Sequence, residues 1–153
     1  MAAGPVTGDS RIVVGVDGSS HSEHALRWSA QLAAMLGARL EIVTAWEYPP
    51  SFGWAAIAPD WNPAKDMEKV ATDTILAVFG DQPPAGLTVQ VREGGAAKVL
   101  LEASAGADML VVGSRGHGGF SGLLLGSVSA GVSEHASCPV LIIHGDRPLP
   151  QAS

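Results

Sequence analysis

The sequence predicts an α/β domain, a three-layer sandwich in which helices cover both faces of a parallel sheet. Two observations carry this reading. Five apolar or β-branched runs alternate with four helix-compatible segments between residues 11 and 144, and such alternation implies parallel strands joined by right-handed crossovers. The fourth run opens onto a loop with six glycines in fourteen residues, Gly113 to Gly126, which leads into the last helix.

The elements follow in order. Arg11 to Val16 reads as a buried strand bounded by turn residues. Ser20-His21-Ser22-Glu23 has the capping-box pattern, so a helix should run to about Leu36. Leu26, Ala30, Ala33 and Leu36 share one face of it, and Gly37 stops it. Leu40 to Ala45 is the second strand, followed by a long connection from Trp46 to Asn62. Loops of that length are usually functional or mobile. Pro63 suits the first position of a helix running to about Phe79, with Met67, Val70, Ala71, Thr74, Ile75 and Val78 inward. Leu87 to Val91 is a short third strand. Gly94-Gly95 precedes a helix that turns Val99, Leu100 and Ala103 inward and ends at Gly106. Met109 to Val112 is the fourth strand, and a serine-capped helix should run from Gly126-Ser127 to near Ala136. Pro139 introduces the last strand, Val140 to Ile143. The tails, 1–10 and 145–153, are expected to be disordered, leaving one domain over 11–144.

Composition narrows the class. With 46% hydrophobic and only 16% charged residues, the chain is globular. A formal charge of −6 argues against nucleic acid or a membrane surface as partner, since both need a basic field. The single cysteine excludes an internal disulfide. Met1 to Ser10 shows neither a basic region nor an apolar stretch of signal-peptide length, and no segment spans a bilayer. A soluble cytoplasmic protein is the expectation. Cys138 reads as a small hydrophobe, and the five histidines show no convincing ligand spacing, so no protein-made metal site is expected.

The glycine-rich loop carries the chemistry. A strand, a loop able to take positive φ, and a helix N-terminus together present unpaired N–H groups and the positive end of a helix dipole. Phosphate is the natural occupant. A Walker A loop is excluded because no lysine lies in the segment. The dinucleotide fingerprint is also missing, since the first strand–helix turn reads Gly15-Val16-Asp17-Gly18.

The spacing found is Gly113, two residues, Gly116, nine residues, then Gly126-Ser127. It resembles the ATP-binding signature of the universal stress protein family. The resemblance extends from about Arg11 to His144, through Val13-Val14-Gly15-Val16-Asp17-Gly18-Ser19 and His135-x-x-Cys138-Pro139-Val140. It implies a Rossmann-like sheet of the adenine nucleotide alpha hydrolase type, with strand order 3-2-1-4-5. In such a sheet the ligand binds beyond the strands' carboxyl ends where the order reverses, between strands one and four. Asp17 and Gly113 end those strands and should face each other.

The resemblance also implies ATP, with Mg²⁺, as cofactor. Gly113, Ser114, Arg115 and Gly116 would turn against the ribose and phosphates. Gly126 and Ser127 would offer backbone N–H groups, Ser127 capping the helix as well, with Val128 and Ser129 as further contacts. Arg115 either screens phosphate charge or is solvated, and His117 is solvated. Gly15 would permit close backbone approach. Asp17 has three roles open to it: a hydrogen bond to adenine or ribose, a bridging Mg²⁺, or capping of the first helix. Adenine would lie across the end of strand two, by the backbone of Thr44 and Ala45. Trp46 beside it is either packing or a stacking partner. The last strand, Val140 to Ile143, is apolar on both faces at a sheet edge, which suggests a homodimer, as the resemblance also implies.

The expected function is therefore nucleotide-responsive stress regulation by a binding protein. Efficient hydrolysis would need a water-positioning residue and a cation at the γ-phosphate, and neither is evident. AMP or cyclic AMP remains an alternative, as does slow hydrolysis or autophosphorylation at a loop serine such as Ser121. A phosphoacceptor receiver would want an aspartate ending strand three and a lysine after strand five, where Arg92-Glu93 and His144-Gly145 stand. An ATP pyrophosphatase-like enzyme would want Ser-Gly-Gly after strand one, where Asp17-Gly18-Ser19 stands.

Overall fold

The computed structural model of the chain describes residues 10–48, 60–116, 125–145 and 148–149. Nine elements alternate: β1 (Arg11–Gly15), α1 (Ser20–Leu36), β2 (Arg39–Trp46), α2 (Pro63–Phe79), β3 (Thr88–Glu93), α3 (Ala96–Ala103), β4 (Met109–Gly113), α4 (Ser127–His135) and β5 (Val140–Ile143). All strand pairs are parallel and the sheet order is β3-β2-β1-β4-β5. Strand and helix positions match the expected ones to within a residue or two, except α3, which stops at Ala103. Gly106, the expected stop, lies beyond it in a left-handed turn with φ +79°.

Alternation along the strands splits the core in two. Ile12, Val14 and Ile42 point to one face, where Ala25, Leu26 and Ala33 of α1 cover them. Val13, Val43 and Leu110 point to the other, against Val99 and Leu100 of α3 and Val132 of α4. Leu26 is fully buried, but Leu36, expected on the same face, is 52% exposed at the last position of α1. Gly37 then takes the left-handed conformation, φ 66°, and its N–H and that of Ala38 close on the carbonyl of Ala33.

One corner of the sheet depends on Arg11. Its guanidinium donates to the carbonyls of Ala103 (2.9 Å) and Ala105 (2.7 Å), and pairs with Glu41 at 3.5 Å. Its backbone N–H donates to Asp108 Oδ2 at 2.8 Å. The side chain thus satisfies carbonyls at the end of α3 that the helix itself leaves open. Arg11→Ala should lower unfolding free energy by about 2 kcal/mol, as expected for hydrogen bonds from a charged donor. Urea unfolding checks this, with the midpoint falling and the slope unchanged.

Two helix starts differ from expectation. The N-cap of α1 is Ser19, whose hydroxyl oxygen accepts from the Ser22 N–H at 3.2 Å, so the capping motif sits one residue earlier than Ser20 to Glu23. The N-cap of α4 is Gly126, with no side-chain cap, and Ser127 is the first helical residue. Of the expected tails, residues 1–9, 146–147 and 150–153 lie outside the described residues; Gly145 takes φ 67°, and Pro148 and Leu149 line one pocket together with residues of α1 and α2.

Candidate functional site

The order reversal between β1 and β4 opens a cleft at the carboxyl ends of the strands. Its floor is apolar, formed by Val43, Leu100 and Val112. Gly15 and Asp17 enter from the end of β1, and Ala45 from β2. The far wall is Gly113, Arg115 and Gly116 after β4, with Gly126 to Ser129 at the start of α4. The cleft is open to solvent at its mouth, and its largely apolar lining with a few convergent polar groups suits a small-molecule ligand. The expected residues Gly15, Asp17, Ala45, Gly113, Arg115, Gly116, Gly126, Ser127, Val128 and Ser129 thus meet in one place. Ser114 does not line it. That residue is 4% exposed and lies behind the wall.

Ser114 instead builds the wall. Its N–H donates to the Ile143 carbonyl at 2.9 Å, tying the loop to β5. Its own carbonyl accepts from the Gly126 N–H at 2.7 Å and from the Ser129 hydroxyl at 2.9 Å. The Ser129 hydroxyl also lies 3.1 Å from the Gly126 carbonyl. Its one proton is therefore committed inside the wall, leaving it no proton to donate to a ligand. These bonds hold the two ends of the glycine-rich segment together across residues 117–124. His117 and Ser121 belong to that segment and lie outside the described residues, as do Gly118, Gly119 and Gly122.

The first turn of α4 supplies the donors. The first bond closing this helix runs from the Ala130 N–H to the Gly126 carbonyl, at 3.0 Å. The N–H groups of Ser127, Val128 and Ser129 precede it and cannot bond within the helix. Gly126 has no side chain to cap them, and no acceptor from the described residues reaches them. Three backbone donors at the positive end of a helix dipole therefore line the cleft.

One of the reasons expected for glycine in the wall does not hold here. Gly113, Gly116 and Gly126 all keep negative φ, so positive φ plays no part at these three positions. Space decides instead. A Cβ on Gly113 would lie 2.8 Å from Cβ and 2.9 Å from the carbonyl oxygen of His21, in the first turn of α1. A Cβ on Gly116 would run into Asp17 Oδ2. One on Gly126 would make ordinary contact with the Ser114 carbonyl, at 3.4 Å, so space is decisive at Gly113 and Gly116 only. A Cβ on Gly15 would come too close only to the end of Leu100, at 2.9 Å, with Val112 in ordinary contact at 3.5 Å.

Asp17 does not cap α1 directly. Its Oδ1 accepts from the backbone N–H of Ser19 at 2.9 Å and from the Ser19 hydroxyl at 2.5 Å, while Oδ2 lies over Gly116. Ala45 stands where the β1–β2 ladder has ended, at the rung Gly15 to Val43, and runs on alongside β3 alone. Trp46 is part of β2 and packs edge-on against Tyr48, centroids 5.3 Å apart, away from the cleft lining. Val43, Leu100 and Val112 were legible in the sequence only as core. Ser22 and Ala96, which also line the cleft, carried no signal beyond helix position.

The model of the universal stress protein family matches residues 10–144. A universal stress protein of Mycolicibacterium smegmatis is 35% identical over 144 residues, covering 88% of this chain and 48% of its own length. This chain spans about half the length of the curated relatives it matches. Among solved structures, a universal stress protein in complex with cAMP is 30% identical, with TM-score 0.63, covering 88% of this chain and 97% of the other. A universal stress protein from Archaeoglobus fulgidus in complex with dAMP has TM-score 0.56 and 23% identity, covering 87% and 96%. The strand order β3-β2-β1-β4-β5 and the cleft at its reversal define an α/β protein of the Rossmann-like kind. The chain belongs to the universal stress protein family.

Among the described residues, no helix is long and apolar enough to cross a membrane. Nor does any group of three or more His, Cys, Asp or Glu side chains gather as a metal site.

Proposed function

We propose that this domain binds an adenine nucleotide in the cleft, ATP with Mg²⁺ foremost, and acts as a nucleotide-responsive stress regulator in the cytoplasm. The carrying observation is the row of three uncapped N–H groups, Ser127 to Ser129, beside the glycine wall. Such a row attracts a phosphate and discriminates little between phosphate esters. The apolar floor suits a flat base, and the Ala45 backbone beyond the last β1 rung offers it a polar edge. Arg115, which also lines the cleft, adds a positive charge. Asp17 is the carboxylate of the lining, and Mg²⁺ ordinarily takes one or two carboxylates together with substrate phosphates. The fit is therefore adequate for a metal–nucleotide complex. Mg²⁺ bound there would neutralise the charge between Asp17 and the phosphates.

The 30% identical relative solved with cAMP supports the adenine assignment and favours a second reading, in which a monophosphate is the ligand. We read the domain as a binder rather than an efficient hydrolase. Among the described residues no lysine lines the cleft, and Asp17, their one carboxylate there, is engaged with Ser19. Denaturing freshly purified protein and identifying the released small molecules tests the function. Release of ATP or another adenine nucleotide is expected. Release of a different class of ligand overturns the assignment.

The same reading includes a homodimer. Among the described residues β5 is an edge strand paired only with β4, and Val140, Leu141 and Ile142 are half-buried in the single chain. Pairing with a second β5 would satisfy the open N–H and C=O groups and bury these side chains. Light scattering at micromolar concentration should give twice the chain mass, and Ile142→Lys should give the single-chain mass.

A further inference from the structure

We propose that Leu100 is the specificity-determining residue for the base of the nucleotide: seated in the space that Gly15 leaves open, its methyl groups set the depth of the apolar floor. The inference rests on the nucleotide reading above. A Cβ on Gly15 would lie 2.9 Å from Leu100 Cδ1 and 3.2 Å from Cδ2, closer than carbon atoms ordinarily pack. Gly15 does not take positive φ, so its backbone does not require glycine. The Leu100 side chain does. Ala96 and Leu100 stand four residues apart and share a face of α3, and both line the cleft. Ala96, the first residue of that helix, offers only a methyl group one turn before Leu100, which leaves the floor accessible to a flat ring.

The consequence is directional. Leu100 is 4% exposed and packs among Val13, Val43, Leu110, Val112 and Val132. The cleft is the side on which it is not enclosed. A close-packed interior has no room for a displaced methyl group, so a side chain added at Gly15 must push the end of Leu100 into the cleft. There it takes the place of the base. The atoms that move are the far end of a flexible side chain, and Val112 Cγ1, at 3.5 Å, stays in ordinary contact. The fold therefore bears little of the cost. The backbone donors of Ser127 to Ser129 belong to the far wall and keep their places.

Gly15→Ala should melt near the wild-type apo temperature. Calorimetry on the ligand-stripped variant should show ATP with Mg²⁺ bound more weakly on the order of tenfold. Leu100→Val draws the methyl groups back by one carbon. In that background Gly15→Ala should cost less than about twofold, the coupling expected of two residues that share one space. Methyl NMR reads the contact itself, because an aromatic ring lying over the δ-methyl groups moves their resonances upfield. The Leu100 signals, assigned by their loss in Leu100→Val, should move upfield with ATP and Mg²⁺ and hold still with tripolyphosphate and Mg²⁺. The proposal is overturned if Gly15→Ala binds ATP within about twofold of wild type, or if its loss persists undiminished beside Leu100→Val. It is equally overturned if the Leu100 signals hold still in wild-type protein saturated with ATP, or move as far with tripolyphosphate. Failure of the wild type to bind any adenine nucleotide is a different result, which removes the functional reading itself and this inference with it.

Discussion

Gly116→Val is expected to abolish nucleotide binding while leaving the fold in place. The Cβ alone would run into Asp17 Oδ2, and the two methyl groups beyond it would occupy the wall between Asp17 and the first turn of α4. Asp17 lines the cleft and must loosen its bonds to Ser19 to make room, so the cost falls mainly on the site. Overpacking of about 1–3 kcal/mol, placed where the ligand must sit, corresponds to a loss of affinity of roughly 5- to 150-fold, with the upper end expected because the methyl groups occupy the ligand's own space. A thermal scan reads both halves of the expectation. Wild-type protein gains roughly 2.7 kcal/mol at ligand a hundred times its dissociation constant, seen as a rise in Tm. The variant should melt near the wild-type apo temperature and show no rise with ATP and Mg²⁺.

Gly113→Val should do the opposite and damage the fold first. Its Cβ would meet Cβ, the carbonyl carbon and the carbonyl oxygen of His21 at 2.8–3.0 Å. Two of these three atoms are backbone in the first turn of α1, and that turn is fixed by the Ser19 cap and by packing of Leu26 at 0% exposure. No flexible side chain is available to yield. α1 must shift off the end of β4, or β4 must bend. A loss of about 3 kcal/mol is expected, which lowers Tm by roughly 6–12 °C for a chain of this size. Apo-protein unfolding in urea checks it. A stable apo variant that merely fails to bind nucleotide would contradict the packing argument.

These two glycines show where the sequence is legible and where it stops. Both stand in one signature, and in the sequence both serve the same purpose, a loop that turns closely about a phosphate. The structure separates them by their neighbours, His21 for one and Asp17 for the other, which lie far away along the chain. The strands were readable because β-branched runs bounded by turn residues have few alternatives, and β5 emerges as Val140–Ile143, the residues expected. The caps were less so. Ser19, Ser20 and Ser22 are equivalent to a capping rule, and only the bond from the Ser22 N–H to the Ser19 hydroxyl decides that Ser19 starts the helix.

The apolar half of the cleft was hidden for another reason. Val43, Leu100 and Val112 meet the requirements of core and of a base-binding floor alike, and residue type cannot tell these apart. Ser127 was misplaced by one position because serine is a better N-cap than glycine in general. At the start of α4 the cap is Gly126, and the absence of a capping side chain is what leaves three donors for a ligand. A rule that rewards stability points away from a site that withholds it.

Isothermal calorimetry on ligand-stripped protein tests the central claim most directly, with ATP, ADP, AMP and cyclic AMP titrated in turn, with and without Mg²⁺. Saturable heat with at least one of them, one site per chain and strongest for ATP with Mg²⁺, is the predicted result. No heat with any of the four would contradict the account, and the cleft at the β1–β4 reversal would then be a feature of the fold alone.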